Sequence, residues 1–600
     1  MADKKYSWRR FQRMNFSTKS LSSRAKKAET ATVRHARKFI FERISNVQAV
    51  RRHIVGWTVL VGFLIAVAAL QLLWFQRSYM ITDAPAEGGT YAEAALGPIN
   101  TLNPLYASTI AERSAARLMF SSLYSYDHTG QLSGDLAETM TVSDDGTEYV
   151  IKIRDDVRWS DGRKLTSADV VFTAELIQNP MTRSVVSGWQ NVDVKAVDEY
   201  SLKFTLPTAY APFDDALTFP IVPKHILDTV DPSTLREASF SQSPVGSGPF
   251  ELRLNQTVNM TKDHKIIHLA ANPDYYQGNL KLEKFQLHVY GDYDAIARAL
   301  RVSEVNAAAN IPMDLIPSSQ SDRYKVASIP VNNGVYTMFN TENETLKDIK
   351  VRRALRLATD TNAIRANSDY PLEKLDLPFL KYQVAEVDLP SAPAHNPSEA
   401  GKLLDKAGWK LNDDGVREKS GKPLELTITS LRGAEYEAAL ETLARQWREV
   451  GVVVNSQVLD AADANQDILQ TVLQPRNYEV LIYELNLGGD ADQFAYWHSS
   501  QTTRNGLNFA NYSNDVADDA LASARSRIEP DLRAEKYRVF AKQWLEDVPA
   551  IGLYQSNMYY VKTGSLNSID EDSTSLVNPG DRYHNIMYWT VRQGSVYKTP

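Results

Sequence analysis

Residues 54–75 read IVGWTVLVGFLIAVAALQLLWF, 22 residues without a charge. A helix of that length rises about 1.5 Å per residue and spans the ~30 Å hydrocarbon core of a bilayer. Trp57 and Trp74 stand near its two ends, where amphipathic rings favour the interface, and Gln71 is its one strongly polar residue. Residues 1–53 carry 15 Lys and Arg against 3 Asp and Glu, a net of +12. The whole chain carries −7, which leaves −19 on residues 54–600. Basic flanks stay on the cytoplasmic side, so a single-pass cell-membrane protein is expected, with its N-terminus cytoplasmic and its long C-terminal part extracytoplasmic. A cleaved signal peptide is the alternative. Its apolar core would be shorter, and LLWFQRSYMITD shows no small-residue cleavage pattern, so an uncleaved lipid-embedded anchor is favoured. Val33, Ala36, Ile40, Ile44 and Val47 recur at helical spacing among Arg34, Arg37, Lys38 and Arg43. Such a segment either lies on anionic lipid or is a basic tail that only sets topology. No recognition motif accompanies it, so nucleic acid is not an expected partner.

At 600 residues the chain exceeds one compact core. It has no cysteine, which excludes disulfides, thiolate chemistry and lipid attachment through Cys. After a linker over residues 77–87 the pattern is globular, without repeats. Strands are expected at Tyr91–Leu96, at Tyr149–Ile153 after the Asp145-Gly146 turn, and at Val452–Val458. Helices are expected at Ala168–Gln178, capped by Thr166 or Ser167, and at Val351–Thr359, Glu435–Val450, Asp518–Arg527 and Leu532–Leu545. Two apolar strand candidates, Val335–Asn340 and Ala550–Tyr554, bracket about 200 residues of helix–strand alternation. The reading is α/β with mixed sheets, in a chain that crosses into a second lobe and returns.

Several segments carry a family resemblance. They are GGTYAEAALGPINTLNPLYA (88–107), the stretch 123–177 with its DDG hairpin, WSDG and TSADV, and SPVGSGPF (243–250). VYTMFNTEN, IKVRRALRLATD, AGKLLDKAGW and residues 488–525 follow in order. Together they resemble the family 5, peptide-type, bacterial extracellular solute-binding proteins over residues 88 to about 569. The resemblance implies a two-lobed periplasmic-binding-protein-like clamp with an extra N-terminal subdomain. Lobe 1 is expected over 88–335, including the subdomain at about 108–235, lobe 2 over 336–548, and a return to lobe 1 over 549–600. It also implies a monomer that captures oligopeptides between the lobes and serves an ABC permease. A non-peptide solute (metal chelate, sugar or opine-like compound) and an orphan sensory receptor are the alternatives.

In this family an aspartate three residues before the acid of a D/E-P-x-x-F motif pairs with the ligand's ammonium group. Here the motif reads Asp490-Ala491-Asp492-Gln493-Phe494, and Leu487 stands at the pairing position. A leucine cannot neutralise a buried ammonium, so either Asp490 or Asp492 substitutes, or the ligand lacks a free amine there. Leu481–Asn486 is the strand expected to pair with ligand backbone, with Tyr483, Glu484, Leu485 and Asn486 as its candidate contacts. Trp497 and Tyr496 are candidates for a side-chain pocket. The resemblance also implies a subdomain aromatic at Trp189 and a lobe 1 contact at Thr109 and Ile110. No catalytic motif is present, the ten His are scattered, and the two Asp-Asp-Gly turns lack further calcium ligands. Neither an enzyme, a cofactor nor a metal site is expected.

Overall fold

Tyr324–Phe339 and Ala550–Thr563 are long enough to belong to two hydrophobic cores at once, and they do. The computed structural model describes residues 26–27, 29–31, 33–34, 47–78, 81–186, 188–312, 315, 323–368, 370–385, 387–460, 467–569 and 575–597. Residues 85–593 form one unit, and residues 1–84 with 594–600 another.

The larger unit is organised on a ten-stranded mixed sheet. In chain order its strands are β1 (Thr90–Leu96), β2 (Phe250–Asn259), β3 (His264–Ala271), β4 (Lys284–Tyr290), β5 (Ala307–Ala309), β6 (Tyr324–Phe339), β7 (Glu425–Leu431), β8 (Val453–Leu459), β9 (Val480–Asn486) and β10 (Ala550–Thr563). Their spatial order is β8-β7-β9-β6-β10-β5-β1-β4-β3-β2. β6 and β10 therefore sit in the middle, antiparallel to each other, with lobe 2 strands on one side and lobe 1 strands on the other.

Along these two strands the side chains change cores. Ala327, Ile329, Val331, Met558 and Tyr560 belong to the lobe 1 core. Val335, Phe339, Ile551, Leu553 and Tyr554 pack in one lobe 2 core, and Tyr336 and Met338 in a second on the other sheet face. The change falls where pairing is interrupted, between Pro330 opposite Asn557 and Gly334 opposite Gln555. Proline has no N–H to give the ladder. Gly334 lies so close to the Leu375 and Tyr336 side chains that a Cβ there would collide with both. Polar side chains take over at the break: the Gln555 amide donates to Val331 O and to Ser575 Oγ, both at 3.0 Å.

The added subdomain holds a four-stranded antiparallel sheet in the order Ala137–Val142, Glu148–Ile153, Ser201–Thr205, Asp193–Asp198. Thr166 caps the helix Ser167–Gln178, with Asp169 closing the capping box. This subdomain shares one continuous apolar core with lobe 1. The final segment is tied to lobe 1 through an ion pair with no exposure on either side chain. Arg582 Nη2 lies 2.5 Å from Glu93 Oε1 on β1. Tyr583 and Tyr560 donate to the same carboxylate at 2.5 and 2.6 Å, and Arg582 donates to Ser114 Oγ at 2.9 Å.

In the smaller unit, helix α1 (Val47–Ser78) contains an apolar span, Arg51–Trp74, of mean hydropathy 2.2. By length and composition it can cross a membrane. Val33 and Arg34 are helical, whereas Ala36, Arg37, Lys38, Ile40, Arg43 and Ile44 lie outside the described residues. The segment read as a linker contains a strand, Ile81–Ala86, paired with Arg592–Tyr597.

Removing one partner of a buried ion pair strands the other charge. Glu93→Gln is expected to lower the unfolding free energy by about 3–5 kcal/mol, seen as an earlier loss of near-ultraviolet circular dichroism in urea. An unchanged midpoint would mean that Arg582 does not depend on this carboxylate.

Candidate functional site

The two lobes meet where helix Phe213–Ala216 and residues 209–211 of the subdomain face the 488–494 loop and the helix α2 (Asp515–Arg525) of lobe 2. Ala211 N donates to Arg525 O at 2.8 Å. The Arg525 guanidinium lies 4.1 Å from the Phe494 ring centre and 5.5 Å from that of Tyr210. A Cβ on Gly489 would strike the Asp215 carboxylate and the Tyr126 ring, so glycine permits this approach.

One cavity lies at this junction, and it adjoins two more that are lined by lobe 1 and the returning C-terminal segment. The first, about 360 Å³, is bounded by Trp189, Tyr210 and Phe213 from the subdomain and by Phe494, Ala522 and Arg525 from lobe 2. A second, about 610 Å³, shares Trp189 and Ala216 with it and is floored by Arg113, Arg117 and Asp581. A third, about 240 Å³, shares Arg117 and reaches Tyr126, Tyr275 and His584. They form one trough with apolar walls and a few placed charges, the composition of a ligand site.

The charges have definite partners. The helix Ile110–Met119 carries Arg113 and Arg117 one turn apart on the trough side. Burial alone would lower the Arg117 pKa, but Asp135, 3.7 Å away, and Asp581 raise it. Burial pushes Asp581 up to about 6 against the opposing pull of Arg117. Asp215 accepts from Tyr126 Oη at 2.5 Å. Burial, then the neighbouring Asp214 and Asp490, raise its pKa to about 7, although Tyr126 and Arg533 oppose the shift. Asp214 is raised as well, chiefly by burial.

The expected site residues fall into three groups. Thr109 and Ile110 begin the helix Ile110–Met119. The Thr109 hydroxyl accepts from Glu112 N and donates to Pro98 O, so it is spent on the cap. Burial acts to raise Glu112, but four acceptor bonds from Asn100, Ser108 and Thr109 bring it below the usual carboxylate range. Trp497, at 1 % exposure, stacks edgewise on Tyr336 and Trp544 and does not line the trough. Trp189, at 2 %, is a core residue against Phe204, Phe213 and Phe219 that still shows an edge to two cavities.

On β9, Leu485 is buried in the lobe 2 core and Tyr483 lies half-buried against Phe509. Glu484 accepts from Asn333 Nδ2 at 2.9 Å and from Tyr436 Oη at 2.6 Å. Asn486 is exposed, and its carbonyl accepts from Tyr496 Oη. Leu487, at 2 % exposure, belongs to the core, so no carboxylate is presented there. Asp490 and Asp492 are each already paired with an arginine. Arg533 grips Asp490 with two bonds of 2.5 and 2.6 Å, and Arg525 holds Asp492 at 2.7 and 2.9 Å. The carboxylates at the junction without an arginine fork are Asp214 and Asp215, which the sequence reading did not single out; the adjacent Asp-Asp pair was its only signal.

One edge of β9 is also incomplete. β6 pairs with all of it, but β7 pairs only with Val480–Ile482. Among the described residues no strand covers the other edge of residues 483–486.

The folded state holds the Asp215 proton up to about pH 7, whereas the unfolded chain releases it near 3.8. The stabilisation from that proton is complete below the unfolded pKa and is lost as pH rises through about 7. Asp215→Asn is therefore expected to melt higher than the parent at pH 8, by up to a few kcal/mol, and to match it near pH 4–5. Parallel melting curves at both pH values would contradict this reading of the Asp215–Tyr126–Asp214–Asp490–Arg533 group.

The profile described as bacterial extracellular solute-binding proteins, family 5 middle, matches residues 131–506. The oligopeptide-binding protein AppA of Bacillus subtilis is 28 % identical over 501 residues, 80 % of this chain and 89 % of that protein. Its structure in complex with a nonapeptide superposes with a TM-score of 0.67 at 26 % identity, covering 85 % of this chain and all of that one. NikZ of Campylobacter jejuni, solved with Ni(L-His), gives 0.66 at 27 % identity, over 84 % and 99 % of the two chains. Both share the two-lobed, mixed α/β architecture, and the chain belongs to the bacterial extracellular solute-binding proteins, family 5.

Proposed function

We propose that this chain captures oligopeptides outside the cytoplasm and delivers them to an ABC-type permease. The observation that carries the peptide reading is the edge of β9 over residues 483–486, which no strand among the described residues covers. An extended peptide presents unpaired N–H and C=O groups at the strand repeat, and a strand edge satisfies them whatever the side chains. The trough then receives alternate side chains in cavities of mixed polarity, where water bridges fill the remainder. Asp214 and Asp215 receive the ligand's ammonium group in place of the absent acid at Leu487. Two adjacent carboxylates with raised pKa values are short of positive charge, and an ammonium supplies it. The similarity to AppA, whose structure holds a nonapeptide, agrees with this reading.

Lobe 1, in this proposal, comprises residues 88 to about 331 with the subdomain at about 108–235, and lobe 2 runs to about 554 before the chain returns. β6 and β10 are the hinge, and closure about them presents a shape the permease recognises. Arg51–Trp74 anchors the clamp in the membrane, with the basic residues 1–53 inside the cell. The clamp works as a monomer and performs no catalysis.

Native mass spectrometry of the full chain in mild detergent is expected to show copurified peptides of narrow length range. A bound metal chelate or sugar, or no ligand at all, would overturn the peptide claim. N-acetylation of a bound peptide is expected to weaken it at least tenfold, and equal affinity would remove Asp214 and Asp215 from the amine role. Protease applied to intact cells is expected to digest the large unit and spare an N-terminal fragment of the anchor and residues 1–53; protection of the large unit would reverse the topology.

A further inference from the structure

At the lobe 1 edge of the main sheet, on residues that take no part in the trough, two histidines and a glutamate converge. His264 begins β3 and His288 lies on β4. Ile266 pairs with His288, so His264 stands diagonal to His288 on the same sheet face. Glu304 follows the helix Tyr293–Arg301, and its N–H is fixed to Ala299 O at 2.9 Å. Its carboxylate returns over the strands. Glu304 Oε1 is 3.8 Å from His264 Nε2 and 3.9 Å from His288 Nδ1, beyond hydrogen-bonding distance. Both nitrogens are buried without a hydrogen-bond partner. The His288 side chain is only 5 % exposed.

The hydrogen-bond chain behind His288 fixes which of its nitrogens is bare. Gln256 Oε1 meets His268 Nε2 at 2.8 Å, so that nitrogen carries the proton and His268 Nδ1 accepts. Gln286 Nε2 lies 3.3 Å from His268 Nδ1 and donates to it. The Gln286 oxygen is then turned to His288 Nε2, also at 3.3 Å, and accepts its proton. His288 Nδ1 is left with a lone pair aimed at a carboxylate. A buried lone pair facing a carboxylate is repelled by it unless a cation lies between them. The imidazole's other nitrogen is held from behind by a hydrogen bond to a side-chain oxygen, and such a second bond is what orients metal-ligating histidines. His264 is fixed in its turn by the Tyr290 ring, stacked on it at 4.4 Å between centroids.

We propose that His264 Nε2, His288 Nδ1 and the Glu304 carboxylate bind a divalent transition-metal ion, of which zinc is the reference case. The three ligand atoms lie within 4.8 Å of one another. A tetrahedral ion with bonds of about 2.0–2.1 Å needs its ligands roughly 3.4 Å apart. The half-exposed Glu304 side chain shortens its own distances of 3.8 and 3.9 Å by a small rotation, and the two imidazoles close on each other by turning about their side-chain bonds. Two imidazoles and one carboxylate suit zinc, nickel, cobalt or copper, and not magnesium, which demands oxygen ligands. Three protein ligands leave a fourth position for water. The ion would clasp β3 and β4 to the end of the helix Tyr293–Arg301.

The test uses the untagged full chain in detergent, stripped with a chelator and then titrated with zinc sulfate, with magnesium as control. One zinc per chain is expected after desalting, with a rise in melting temperature that magnesium does not produce. Cobalt(II) in its place is expected to give the visible absorption of a four-coordinate ion. His264→Gln and Glu304→Gln are each expected to weaken zinc binding at least tenfold. His288→Gln removes a buried group and can cost folding, so the half-exposed Glu304→Gln, checked by circular dichroism, keeps the test decisive. A folded parent chain that retains no zinc would overturn the proposal. So would zinc bound with unchanged affinity by both His264→Gln and Glu304→Gln, since the ion would then lie elsewhere.

Discussion

The antiparallel pairing of β6 with β10 is the constraint on which the other features depend. A sheet shared by two lobes needs a connection stiff enough to keep them in register and weak enough at one place to bend. Continuous ladders on either side give the first. The second comes from Pro330, the residues up to Gly334 that do not pair with β10, and the polar run Gln555–Asn557 on the other strand. Hydrophobic side chains change cores at the same place, so bending there separates the two interiors with little disturbance to either. The Glu93–Arg582 pair then locks the returning C-terminal segment onto lobe 1, which leaves the two central strands to carry the movement.

The junction between the lobes shows how charge is used. Two of the four acidic side chains at the contact, Asp490 and Asp492, are neutralised within lobe 2 by arginines from the helices that follow. The other two, Asp214 and Asp215, come from the subdomain and are compensated far less. The junction is thus short of positive charge around Asp214 and Asp215, and a cationic group there would relieve it. Further along, Arg113 and Arg117 line the second cavity together with Asp581.

Much of this was legible from residues alone, for local reasons. The helix at Ala434–Glu449 and the capping box at Thr166 and Asp169 follow from spacing and cap chemistry within a few residues. The apolar span Arg51–Trp74 follows from an uninterrupted apolar run. β6 was visible only in its second half, Val335–Asn340, because Pro330 and Gly334 are poor strand residues and the strand runs through both. Trp497 was assigned to a pocket, but an aromatic after a loop does not reveal which core will take it. The pairs that define the site are non-local. Tyr126 and Asp215 are 89 positions apart, and Arg533 and Asp490 are 43 apart. His264, His288 and Glu304 have no metal-site spacing, since β3, β4 and the chain after the helix Tyr293–Arg301 bring them together only in the folded sheet.

The central claim is that the lobes hinge about β6 and β10 and close on a ligand. The absence of native cysteine allows a direct measurement of the distance across the junction. Gly146 lies against Ile528 here, so spin labels at Asp144→Cys and Glu529→Cys bracket the contact from either lobe. Pulsed electron paramagnetic resonance on the stripped protein is expected to show a short and a long distance. A tryptic casein digest is expected to collapse them to the short one. A single distance, unchanged by the peptides, would contradict the account.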